Sequence, residues 1–213
     1  MDYLISNRRK YQNKTIAILC PGKTSLEYNN DCDISVALNS GIKLDKKIDY
    51  FMAFDCKIPL LDYFTIKPEV TRILGANIYS MCPYSNTQGS TKKQIIRTLN
   101  INQELPPATE PHWYWYYKYD TDPSYKPYYK EFAACSTILI PALQLAVHWG
   151  CSQIYIYGAS MNNSVYFYDT AKKHTYTDIG RRGVNNLIKS IDTHIPVYVK
   201  KEPDTKITAG RYF

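Results

Sequence analysis

Thr15-Ile16-Ala17-Ile18-Leu19-Cys20-Pro21-Gly22-Lys23-Thr24-Ser25-Leu26 decides the fold class. A short apolar run with β-branched residues stops at Pro-Gly, and small hydroxyl residues then open a helix. This reads as the first strand, loop and helix of a nucleotide-binding α/β domain. Glycine lets backbone approach a phosphate, and N–H groups at a helix start receive it. Gly22, Thr24 and Ser25 are therefore candidate ligand-binding residues.

The same signature recurs outward along the chain. Residues 15–20 read as the first strand and residues 34–38 as the second, ending at Asn39-Ser40-Gly41. Residues 50–54 form a third, ending at Asp55, and 77–81 a fourth. Residues 153–157 give a fifth, ending at Gly158, and 197–200 a sixth; β-branched and aromatic residues dominate these runs. Helices are expected at 136–149 and 178–191. In the first, Ser136 or Thr137 caps the start, Ile140, Leu143 and Val147 share a face, and Pro141 is a defect one turn in. In the second, Val184, Leu187, Ile188 and Ile191 form the apolar stripe. Strands alternating with helices predict a single Rossmann-like domain over 1–213 with a mainly parallel sheet. Its ligands would lie at the carboxyl ends of the strands. Asn39, Asp55 and Gly158 then share that edge with the first loop. Residues 103–130 break the pattern with five prolines and a dense run of Trp and Tyr, and read as an aromatic-rich irregular insertion.

Composition bounds the function. The chain has 213 residues, 45% of them hydrophobic, enough for one domain with a sizeable core. No run approaches the roughly 20 apolar residues of a membrane span, and the polar first residues lack the apolar centre of a signal peptide. A cytoplasmic protein is expected. The wealth of Lys, Asn, Ile and Tyr fits an AT-rich genome, such as that of a virus or a host-associated bacterium. Six cysteines, Cys20, Cys32, Cys56, Cys82, Cys135 and Cys151, contain no C-x-x-C pair and read as buried thiols. A formal charge of +7 permits an anionic ligand or a nucleic acid and demands neither.

Three chemical constellations compete. The pattern G-x-x-x-x-G-K-S/T needs glycine where Ala17 stands, so Gly22-Lys23-Thr24 is half a phosphate-binding loop. A nucleotide kinase built on it would bind ATP with magnesium. Asp31-Cys32-Asp33 and Asp120-Thr121-Asp122 have the spacing of a metal-binding Asp-x-Asp, but the first precedes a strand and the second sits in the Tyr/Pro segment. Both read as turn carboxylates, and no metal is expected. Among the histidines, His112, His148 and His194 read as structural. His174 lies in a polar, tyrosine-bearing loop after the fifth strand, where an imidazole suits general-base chemistry.

Gln153-Ile-Tyr-Ile-Tyr-Gly158, preceded by the helix over 136–149 and followed by Tyr166-x-Tyr-Asp-Thr and His174-x-x-x-Asp178, resembles the bacterial sialyltransferases that use CMP-sialic acid. It also resembles related domains of the motility accessory factor type. The shared plan is a first loop at Gly22–Leu26, Asn39 ending the second strand, Ser136 and Thr137 opening a helix, Gly158 ending a strand, then Tyr166 and His174. Pro21, Ser160 and Asn162 depart from it, where the family carries Asn, an acid and a tyrosine. The resemblance implies a metal-independent, inverting glycosyltransferase without a cofactor, acting on a nucleotide-sugar donor and a glycan or other hydroxyl acceptor. His174 would take the acceptor proton, and Tyr166 and Tyr168 would stabilise charge on the departing phosphate. Asn39 and Asp55 would hydrogen-bond the nucleotide, and Ser136 or Thr137 would hold donor sugar or phosphate. A third reading, nucleic-acid binding or modification, rests on aromatics interleaved with Lys118, Lys126 and Lys130.

Overall fold

The computed structural model describes residues 9–53, 66–67, 69–74, 137–162, 165–171, 178–202 and 204–213. Seven strands form one sheet: β1 (Thr15–Leu19), β2 (Ile34–Leu38), β3 (Tyr50–Ala53), β4 (Thr71–Leu74), β5 (Gln153–Tyr157), β6 (Val197–Val199) and β7 (Arg211–Tyr212). Two α-helices are described, α1 (Leu139–His148) and α2 (Asp178–Asp192). The strand order is β4-β3-β2-β1-β5-β6-β7, and every pairing is parallel. The chain thus starts at the centre, walks outward to β4, then returns to lay β5 against the other side of β1. That reversal between β1 and β5 is a topological switch point, where α/β sheets open a crevice at their carboxyl edge.

The sequence dictates this arrangement through burial. Both faces of a parallel sheet are covered, so its strands are near-continuously apolar, and β2 and β3 are buried at every position. Alternate side chains go to opposite faces. Ile16, Ile18, Ile34, Val36, Ile154, Ile156, Val197 and Val199 pack with α1 and α2 in the main core. Ala17, Leu19, Ala37, Phe51 and Tyr157 pack on the other side under Tyr28, Ile42 and Leu44. Helix α2 contributes Val184, Leu187, Ile188 and Ile191, a stripe at helical spacing. Helix α1 is buried from Leu139 through Val147. Pro141 is its third residue, inside the first turn, where the missing N–H would have had no intrahelical acceptor. Gly150, at φ +76°, follows the helix end. No described helix is long and apolar enough to cross a membrane.

Several expectations change in detail. The hydroxyl-rich stretch after β1 forms a single 3-10 turn, Lys23–Glu27, not an α-helix. Residues 20–33 make the crossover from β1 to β2 with this turn as their one helical element. Strand β4, at Thr71–Leu74, was not expected, and Arg72 is what hides it. Its guanidinium bonds the carbonyls of Val70 and Lys67 at 2.9 and 3.2 Å, so a charge sits in a strand that is otherwise apolar or β-branched. The two-residue β7 is too short to leave a sequence pattern. The strand expected at 77–81, the insertion at 103–130, and Asp120 and Asp122 lie outside the described residues.

At the amino edge, Asp33 fastens β1 to β2. Its carboxylate accepts from Thr15 N at 2.9 Å, Thr15 Oγ1 at 3.0 Å and Lys14 Nζ at 3.1 Å. These bonds, the Thr15 backbone N–H first, hold its carboxyl below the usual range. A lowered folded value contributes stability above the unfolded carboxyl pKa of about 3.9, and loses it as pH falls through the lowered value. Asp33→Asn should therefore lower the urea midpoint at neutral pH, with the gap to wild type closing in acid below about pH 4. A gap that is constant with pH would remove Asp33 from this role.

Candidate ligand site at the carboxyl edge

The loops after β1 and β5 interlock through glycine. Gly22 N donates to Gly158 O at 3.0 Å, and Cys20 N donates to Tyr157 O at 2.9 Å. A Cβ on Gly22 would stand 2.4 Å from Gly158 O and 2.8 Å from Glu202 Oε1. Gly158 has φ +69°, and a Cβ there would stand 2.2 Å from Ser25 Oγ. Only glycine admits both the close approach and the left-handed backbone.

Thr24 and Ser25 are buried beneath this crossing. The Thr24 hydroxyl donates to Glu202 Oε1 at 3.1 Å and accepts from Gly158 N at 2.8 Å. Thr24 N also points at Glu202 Oε1, at 3.4 Å, and the Ser25 hydroxyl donates to Cys20 O. Gly22, Thr24, Ser25 and Gly158 thus interlock at the carboxyl edge, with their polar groups bonded to one another and to Glu202. Glu202 lies just after β6 and was not singled out in the sequence. The only signal available was an acid following an apolar run at the same edge.

The end of β2 lies beside this crossing. Asn39 takes φ +50° and opens a 3-10 turn, Asn39–Lys43. A Cβ on Gly41 would meet Leu19 O at 2.4 Å, so the turn is pressed against the end of β1. Asn39 Oδ1 is buried and has no hydrogen-bond partner among the described residues. Buried polar atoms are rarely left unpaired.

The segment carrying the two tyrosines also reaches this edge. Tyr166 bridges Gly22 in antiparallel fashion, and Phe167 N donates to Pro21 O at 2.9 Å. The Tyr166 and Tyr168 rings lie 5.1 Å apart. Lys43 Nζ stands 4.4 Å from the centre of the Tyr168 ring, a cation–π contact that ties the β2 turn to this segment. Burial, and secondarily Tyr168, raises the Tyr166 pKa, so this phenol keeps its proton at neutral pH and remains a donor. Lys43 is a second residue that sequence reasoning missed.

The two departures from the family plan after Gly158 bond to each other. Ser160 Oγ donates to Asn162 Oδ1 at 2.8 Å, and Asn162 Nδ2 donates to Asp204 O at 2.7 Å. Lys206 N donates to Ser160 O at 2.6 Å, and Arg181 Nε to Met161 O at 2.8 Å. The loops after β5 and β6 are stitched together by these contacts.

Of the expected site residues, Gly22, Thr24, Ser25, Asn39, Gly158, Tyr166 and Tyr168 meet at this edge. Thr137 is buried just ahead of α1, where its hydroxyl accepts from Leu139 N at 3.3 Å. His174, Asp55 and Ser136 lie outside the described residues. Among the described residues, no group of three or more His, Cys, Asp or Glu could hold a metal ion. Comparison of the chain with protein-family models gave no match, and comparison with curated proteins gave none either.

Proposed function

We propose that the protein is a metal-independent glycosyltransferase of the sialyltransferase-like kind, on a GT-A-like variant of the Rossmann plan. It would transfer a sugar from a nucleotide-sugar to an acceptor hydroxyl. One observation carries this reading: an unpaired buried acceptor, Asn39 Oδ1, shares the switch point of a parallel sheet with two tyrosines and a lysine. Tyrosine hydroxyls and a lysine suit an anionic group that gains charge as it leaves, and Asn39 suits an N–H or O–H of the nucleoside. His174 is the proposed base, and Asp55, Ser136 and Thr137 complete the donor contacts. The kinase alternative needs the Thr24 hydroxyl for magnesium, whereas that hydroxyl is bonded to Glu202 and Gly158.

Isothermal calorimetry in EDTA tests the reading. CMP, UDP and GDP are titrated into the wild type and into Tyr166→Phe/Tyr168→Phe. At least one nucleotide should bind the wild type without magnesium. The double variant should bind it about tenfold more weakly, as expected for lost hydrogen bonds to a charged group. A parallel titration of ATP with magnesium is the control: ATP binding that EDTA abolishes, with none of the three nucleotides bound, would replace this reading with the kinase.

A further inference from the structure

Glu202 is the single charged residue among the buried described residues, with 7% of its surface exposed. Its Oε1 is anchored by Thr24. Its Oε2 has no hydrogen-bond partner among the described residues, and no described cation pairs with the carboxylate. The two preceding lysines are directed elsewhere. Lys200 Nζ pairs with Glu27 Oε2 at 3.0 Å, and Lys201 Nζ stands over the Tyr212 ring at 5.5 Å. Oε2 is not shut off from solvent, so a ligand donor can reach it. The acid also sits where a phosphate would have to lie to use the Gly22–Ser25 loop, and like charges repel.

We propose that Glu202 Oε2 accepts hydrogen bonds from a vicinal diol of the ligand. The phosphate is thereby turned from the first loop towards Lys43, Tyr166 and Tyr168. This rests on the nucleotide-sugar reading. A diol supplies two donors to one carboxylate, which a phosphate cannot do. Asn39 Oδ1, on the far side of β1, is an acceptor of the same kind. Sheet order sets β2 and β6 three strand spacings apart, about 14 Å, so one extended ligand crossing the switch point can reach both. Two parts of such a ligand carry a vicinal diol, the ribose and the transferred sugar.

The test is calorimetry in EDTA on the full chain, wild type and Glu202→Gln. The probes are CMP, UDP and GDP, their 2′-deoxy counterparts, and the matching nucleotide-sugars. If the ribose is the partner, the wild type prefers the ribonucleotide about tenfold to a hundredfold, and Glu202→Gln loses that preference. If the transferred sugar is the partner, Glu202→Gln weakens the nucleotide-sugar by a similar factor and leaves the nucleotide alone unchanged. A purely structural Glu202 would move neither ratio, so unchanged ratios in a folded variant overturn the proposal while leaving nucleotide binding standing. Should Glu202→Gln fail to fold, the wild type decides: equal affinity for all three ligand forms overturns it. A wild type that binds none of the probes overturns the nucleotide-sugar reading and this proposal with it.

Discussion

Gly158→Ala should destabilise the protein by about 3 kcal/mol, combining about 1–2 kcal/mol of left-handed backbone strain with overpacking of similar size. The new methyl would meet Ser25 Oγ at 2.2 Å, Cys20 O at 2.5 Å and Gly22 N at 2.8 Å, two of them backbone atoms of the facing loop. Neither side can retreat without breaking the Thr24 bond to Gly158 N or the Gly22 bond to Gly158 O. Gly150→Ala is the matched control. Its φ is also positive, +76°, yet its nearest neighbour would stand 3.4 Å away, so it pays the strain alone, about 1–2 kcal/mol. Urea unfolding of both variants measures the difference. Equal losses would mean that the two loops yield to each other and that the crossing is not rigid.

Under the proposed transferase reading, His174→Ala should lower sugar transfer by about 10²–10⁴ while leaving donor affinity nearly unchanged. An acceptor hydroxyl is a poor nucleophile near neutrality, and a base that removes its proton acts in the transition state without adding to ground-state binding. Wild-type turnover should fall in acid as the imidazole takes up its proton, and the variant should lose that limb. His148→Ala, at the end of α1, and His194→Ala, in the turn before β6, should change thermal stability more than transfer. Wild-type-like transfer by His174→Ala would remove the base assignment and weaken the resemblance that suggested it.

The carboxyl edge was legible in the sequence where a turn directly follows a strand end. Asn39 and Gly158 sit one residue past apolar runs, and β2 and β5 match their expected bounds. Strands β1 and β6 each end one residue early, although Cys20 N and Lys200 N still donate across the sheet to Tyr157 O and Ile156 O. Glu202 and Lys43 were illegible for a different reason. Single charged residues after strands are ordinary in surface turns, and theirs gain meaning only through Thr24 and Tyr168, far away in the chain. Pro141 misled in the opposite direction, because its cost depends on a helix start that composition alone does not fix.

The placement of β1 also sets the order of assembly. Thr15 pairs with Gln153 on one side and Ile16 with Ile34 on the other, so the central strand joins the early and late parts of the chain. During synthesis β2 and β3 can dock long before β5 leaves the ribosome, and until then one edge of β1 keeps its N–H and C=O groups unsatisfied. Non-local parallel pairing of this kind is slow to form and exposes a sticky edge while it waits. Refolding yield should therefore depend on protein concentration and chaperone supply more than on final stability, and truncation before residue 153 should give aggregates rather than a smaller domain.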